Sequence, residues 1–249
     1  MALLMTVMAH PDDAEFSAGG LLLRWRQAGG RIHIVSLTDG SAGHPDQSRA
    51  TVAQRRAAEA QRAAALLDAD LDIWPEADGE LVADVRLRHQ LIRQIRAIGP
   101  DLIVTHRPAD YHPDHRAAAQ LVQDTCYLLQ VPNVVPDTPA LRDIPPVLLT
   151  ADRFTYPRPF RADWVIDTAA QVDDITELLD CHGSQVYEWL PHTRNVPVPA
   201  QNRLAWLKEW YIERPRNTAK RHSQEFTYAE AFEVSEYGGK FVPPNLVPP

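Results

Sequence analysis

The chain has 249 residues, a length that one α/β domain commonly occupies. Hydrophobic residues at 45% and charged residues at 23% exclude a disordered or low-complexity chain, and the net charge of −8 repels phosphate polymers and anionic bilayers, so neither nucleic acid nor membrane is an expected partner. Cys126 and Cys181 have no CxxC spacing, which leaves neither a disulfide framework nor a thiolate metal cage, so any metal must be held by His and carboxylate. The apolar start, Met1 to Met8, has no basic flank and reaches Pro11-Asp12-Asp13 too soon for a signal sequence, and no run approaches ~18 apolar residues. A cytoplasmic protein is expected.

Leu3 to Met8 is an apolar run of strand length, ended by the turn-like Ala9-His10-Pro11-Asp12-Asp13. A helix is predicted from Ala14 to Gln27, stopped by Gly29-Gly30, and a second strand from Arg31 to Leu37. Gln54 to Leu67 reads as helix, Leu71 to Trp74 as strand, Val82 to Ile98 as an amphipathic helix and Asp101 to Thr105 as a fourth strand. A helix follows from about Arg116 to Leu129. Seven of the 21 prolines then fall between Pro132 and Pro159, which marks a long irregular connection suited to a lid or pocket wall. Val147 to Thr150 and Trp164 to Ile166 read as strands and Val172 to Cys181 as a helix. This alternation predicts an α/β fold with a Rossmann-like, doubly wound, mostly parallel sheet flanked by helices. The whole chain, 1–249, is expected to be one domain, with about 190–249 as an ordered C-terminal extension rather than a second core.

Two clusters carry chemistry, His10-Pro11-Asp12-Asp13 after the first strand and His112-Pro113-Asp114-His115 after the fourth. Doubly wound sheets bind ligands beyond the carboxyl ends of their strands, where the strand order reverses, so with an order 3-2-1-4 the clusters share one site. His10, Asp13 and His115 then offer two imidazoles and one carboxylate to a divalent ion, with an open position for water. Zn²⁺ so bound lowers the pKa of its water from 15.7 toward ~7 and polarises a neighbouring carbonyl. Asp12 can take the proton from that water, and His112 is spare to stabilise an oxyanion or protonate a leaving amine. Each cluster alone also has a plainer reading: Asp12, Asp13 or His112 as a helix cap, His115 as a surface residue.

Ala9-His10-Pro11-Asp12-Asp13 with Gly19-Gly20, Thr38-Asp39-Gly40, Arg56-Ala57-Ala58-Glu59, Asp110-Tyr111-His112-Pro113-Asp114-His115 and His182-Gly183-Ser184-Gln185 together resemble the LmbE-like family, the superfamily of the N-acetylglucosaminylphosphatidylinositol de-N-acetylases (PIG-L). The resemblance covers about residues 3 to 187. It implies a Rossmann-like deacetylase fold and zinc-dependent removal of an N-acetyl group from an N-acetylglucosamine-type conjugate. By motif, His10, Asp13 and His115 resemble the zinc ligands, Asp12 the general base and His112 the second catalytic group. The resemblance also places Arg56 near the substrate with Glu59 orienting it, makes His182 a pocket wall, and implies assembly into trimers or hexamers; the plainer readings are a solvated surface charge for Arg56 and a satisfied structural histidine at a helix end for His182. The chain departs from the family in having Leu67-Asp68 where Leu-Gly is usual, and Asp110 where some relatives have a Tyr. Asp110 then orients an imidazole, while Tyr111 is a neighbouring aromatic.

The leading reading is thus a metal-dependent N-deacetylase acting on a small amino-sugar conjugate. Two histidines and a carboxylate also suit an Fe²⁺-dependent or other metal-dependent enzyme, and a non-catalytic metal- or ligand-binding protein is a further alternative, though it would not need Asp12. A dinucleotide cradle is unsupported without GxGxxG after the first strand, and a serine hydrolase without GxSxG.

Overall fold

The computed structural model describes residues 1–223 and 225–244. Seven strands form one sheet: β1 (Leu3–Met8), β2 (Arg31–Thr38), β3 (Asp70–Glu76), β4 (Leu102–Thr105), β5 (Val147–Thr150), β6 (Trp164–Asp167) and β7 (Ala229–Val234). Their order is β3-β2-β1-β4-β5-β7-β6. The first five are parallel, and β7 runs antiparallel to both β5 and β6, so the sheet is mixed but mostly parallel. The chain begins in the middle, winds outward through β2 to β3, and returns to the other side of β1 as β4. The reversal between β1 and β4 is the crevice where such sheets bind ligands.

Every residue of β1 is buried. Leu4 and Met8 pack on one face with Ile32, Val104 and Phe232, while Met5 and Val7 pack on the other with Val35, Ile103 and Leu149. Burial on both faces accounts for a strand that is almost continuously apolar instead of alternating. Helices α1 (Asp13–Gln27), α2 (Arg49–Leu67), α3 (Val85–Ile98), α4 (Pro113–Cys126), α5 (Val172–Asp180), α6 (Leu190–Arg194), α7 (Arg203–Tyr211) and α8 (Glu213–His222) complete the order. α1, α5 and α7 contribute to the first core and α3 and α4 to the second.

Three helix starts differ from the sequence reading, and each is set by a cap. The Ser48 hydroxyl accepts the N–H of Thr51, which starts α2 five residues before Gln54, at Arg49. Asp84 accepts from Leu87 at 2.8 Å, so α3 begins at Val85 and leaves Val82 outside. His112 caps α4 through Nδ1, so the helix begins at Pro113, three residues upstream of the expected start at Arg116. Asp68 ends α2 in the left-handed conformation (φ 51°, ψ 43°), the position that Gly usually fills after a helix.

The proline-rich connection is fastened at two points. Arg96 of α3 is buried and donates to the carbonyls of Leu128, Leu129, Val131, Val134, Val135 and Thr138. Arg107, just past β4, donates to Asp152 and to the carbonyl of Phe154, both at 3.1 Å, which draws the later half toward the site edge of the sheet. The C-terminal stretch does more than extend the domain: it supplies β7, a strand not apparent from the sequence pattern, between β5 and β6. Phe232 at its centre is 0% exposed and packs on Trp164. Phe232→Ala is expected to lower stability by ~3–5 kcal/mol through the cavity it leaves, measured as the change in unfolding free energy in urea.

Candidate active site

The turn after β1 is closed by its own aspartate. Asp13 Oδ2 accepts the backbone N–H of His10 at 2.8 Å and lies 3.2 Å from His10 Nδ1. His106 from the loop after β4 and His115 from the first turn of α4 meet the same carboxylate: His106 Nε2 lies 3.2 Å from Oδ2 and His115 Nε2 lies 3.4 Å from Oδ1. His10 Nδ1 and His115 Nε2 are 3.3 Å apart. The expected trio of His10, Asp13 and His115 is therefore brought together, with contacts of 3.2, 3.4 and 3.3 Å. The two Asp13 contacts use different oxygens, Oδ2 toward His10 and Oδ1 toward His115, and each spacing lies near the ~3.3 Å edge of a tetrahedron whose metal–ligand bonds are ~2.0 Å. Among the described residues, three overlapping groups could hold a metal: His10, His112 and His115; Asp13, His106 and His115; and His10, Asp78 and Asp114.

Each histidine of the trio has its other nitrogen beside a carboxylate. His115 Nδ1 meets Asp110 Oδ1 at 2.9 Å, and the same oxygen accepts the N–H of His112. Asp110 therefore faces His115. His10 Nε2 lies 3.1 Å from Asp78 and 3.4 Å from Asp114, which favours a proton on Nε2 and a free lone pair on Nδ1. Asp114 is 0% exposed and accepts the N–H groups of Gly79 and Leu81, while Asp78 accepts that of Ala42. Asp78, Asp114 and His106 had no role in the sequence reading. Their signal was the placement of Asp78 and His106 just past strand ends, on the edge that carries the two motifs.

Asp12 occupies the cap position of α1 without capping it. Its carboxylate instead receives Arg56 Nη2 at 2.7 Å, and the same guanidinium donates to the carbonyls of Pro11 and Gly40. Gly40 is required there: its φ is +65°, and a Cβ would stand 2.7 Å from the guanidinium carbon. Arg56 is only 3% exposed, so it lies beneath the site as a clamp on Asp12. Glu59 does not orient Arg56; it accepts from Arg55 Nε at 3.1 Å and from the N–H and hydroxyl of Ser184. His182 is 0% exposed, 3.6 Å from Glu15, and lines no open surface. Tyr111, by contrast, is 64% exposed, its ring 5.3 Å from that of His115.

The GlcNAc-PI de-N-acetylase (PIG-L) family matches residues 5–126, a span that includes both motifs. Residues 5–126 are thus similar to a PIG-L domain. The chain is similar to the 4-oxalmesaconate hydratase of Pseudomonas putida, 25% identical over 202 residues and 76% of each chain. It is also similar to the diacetylchitobiose deacetylase of Thermococcus kodakarensis, 25% identical over 206 residues, 78% of this chain and 76% of that one. In fold, the N,N'-diacetylchitobiose deacetylase of Pyrococcus horikoshii superposes with a TM-score of 0.78 at 19% identity, over 94% of this chain and 84% of that one.

Electrostatics divide the two aspartates of the site. Burial alone would raise Asp13, but His115, His106 and His10 hold it well below the usual carboxylate range. Burial lifts Asp12 to about 6, against the pull of Arg56 and with the charge of Asp13 adding to the rise. Burial would lower His115, yet Asp13 and Asp110 carry it up to about 9. Burial and the charge of His115 take His106 down to about 4, which suits a ring whose Nε2 accepts the N–H of Ala9 at 3.1 Å. Asp110→Asn is expected to weaken Zn²⁺ binding ~10- to 100-fold by loosening His115, as measured by calorimetric titration.

Proposed function

We propose that the protein hydrolyses the N-acetyl group of a small amino-sugar conjugate of the N-acetylglucosamine type, with a divalent cation held by His10, Asp13 and His115. Zn²⁺ is the first choice, with Fe²⁺ or another divalent ion as the alternative. The observation that carries this reading is the half-buried Asp12, clamped at 2.7 Å by Arg56 and adjacent in the chain to the proposed ligand Asp13. The PIG-L match and the deacetylase relative support it.

When bound, the cation polarises the amide carbonyl and acidifies water. Asp12 is the proton carrier. Arg56 engages Oδ1, which leaves Oδ2 to accept a proton from the attacking water as it adds to the carbonyl carbon. His112 Nδ1 accepts the N–H of Asp114 at 3.2 Å, and burial with the charges of His10 and His115 holds this ring below its ordinary pKa. Neutral His112 therefore carries its proton on Nε2 and donates to the carbonyl oxygen as negative charge develops there. A neutral imidazole cannot surrender that proton without becoming an anion. The leaving nitrogen is accordingly protonated by Asp12, which returns the proton it took from water as the C–N bond breaks.

The hydratase relative favours one competing reading, addition of water across a C=C bond by the same carboxylate. A screen of acetylated amino sugars and of unsaturated dicarboxylates separates the two: acetate and free amine are expected from the sugars, whereas loss of alkene absorbance without acetate would overturn deacetylation. Asp12→Asn is expected to cut acetate release ~10²- to 10⁴-fold while Zn²⁺ still binds in calorimetry. Because Asp12 must be ionised to accept a proton, kcat/KM is expected to fall as pH drops below about 6. Arg56 opposes the rise in the Asp12 pKa, so Arg56→Met is expected to move that limb to higher pH in the same pH–rate measurement.

A further inference from the structure

The helix that carries Asp13 is broken. Ala18 leaves helical geometry (φ −145°, ψ 18°), which divides α1 into a short first segment and a longer second one. A helix start leaves N–H groups without intrahelical carbonyl partners. Two N–H groups just past the break, those of Gly20 and Leu21, donate to the carboxylate of Glu230, to Oε1 at 2.7 Å and Oε2 at 2.9 Å. In an unbroken helix they would reach back to the carbonyls of Phe16 and Ser17. Glu230 lies on β7, about 210 residues further along the chain, and is 7% exposed. The fit is close: a Cβ on Gly20 would stand 2.4 Å from Thr168 Cγ2 and 3.1 Å from Glu230 Oε1.

We propose that Glu230 is a positioning residue: by capping the second segment of α1 it holds the break at Ala18 and so aims the preceding turn, which sets Asp12 against Arg56 and Asp13 against His10, His106 and His115. A carboxylate suits the task because two parallel donors need two acceptor oxygens, and an amide offers only one. Without the cap, Gly20 and Leu21 must either stay unpaired in the interior or recover the Phe16 and Ser17 carbonyls by straightening the helix, and straightening rotates the turn that bears the two aspartates. The proposal rests on the deacetylase reading only for the reaction that Glu230 serves.

The test compares wild type with Glu230→Gln and Glu230→Ala by crystallography, Zn²⁺ calorimetry and kinetics. Leu91→Ala, a core truncation on α3, serves as a control that lowers stability elsewhere. In Glu230→Ala the Asp12–Arg56 and Asp13–His10 contacts are expected to open beyond ~3.5 Å, Zn²⁺ affinity and kcat to fall ~10-fold or more, and KM to change little. Glu230→Gln is expected to fall between Glu230→Ala and wild type, and it decides the matter alone should the alanine variant not fold. Leu91→Ala is expected to keep both contacts and Zn²⁺ affinity despite a lower Tm. Unchanged contacts in the Glu230 variants, with only Tm reduced, would make Glu230 a simple strut and overturn the proposal. Should wild type release no acetate from any sugar, the functional reading fails, while the two contact distances still decide the role of Glu230.

Discussion

One carboxylate, that of Asp13, is the point on which the site converges. It accepts the backbone of its own turn, faces His10 beside it, and meets His106 from the loop after β4 and His115 from the start of α4, both more than ninety residues away. The meeting depends on β1 and β4 being neighbours at the centre of the sheet, with their carboxyl ends side by side. Were another strand inserted between them, the two loops would stand a further ~5 Å apart and no single ion could join them.

Around that point the protein manages buried charge by pairing. Asp78, Asp110 and Asp114 back the imidazoles, and all three also receive backbone N–H groups, which removes most of the penalty for burying them. Arg56 answers Asp12 from below while it ties together the carbonyls of two loops. The result is a pair of adjacent aspartates with opposite tendencies: one stays ionised among histidines, and the other changes protonation near neutral pH. Pushing two neighbouring carboxyls apart in this way equips one to stay fixed and the other to exchange a proton.

The strands, the switch point and both motifs were legible because each is a local pattern: an apolar run, a turn cluster, a His-Asp spacing. The helix starts were misplaced where a cap outweighed the apolar period, at Ser48, Asp84 and His112. What stayed hidden was set by partners distant in sequence. Glu59 sits three residues from Arg56 on α2, yet its acceptors are occupied by Arg55 and Ser184, the latter 125 residues away. Arg56 resembles a substrate contact by motif, and only burial shows it occupied with Asp12. β7, with alternating Ala, Glu and Val around Phe232, has a weak pattern because its place in the sheet is defined by β5 and β6, which lie far earlier in the chain.

The placement of β7 also bears on the order of assembly. Among the described residues β6 pairs with no strand except β7, and β7 reaches the sheet some sixty residues later. During synthesis the parallel half from β3 to β5 can therefore form while β6 waits at its margin with its backbone groups unclaimed, an exposed edge of the kind that invites association with other chains. The sheet gains β7, and the buried carboxylate that strand carries, only after the 228 residues before it have been made.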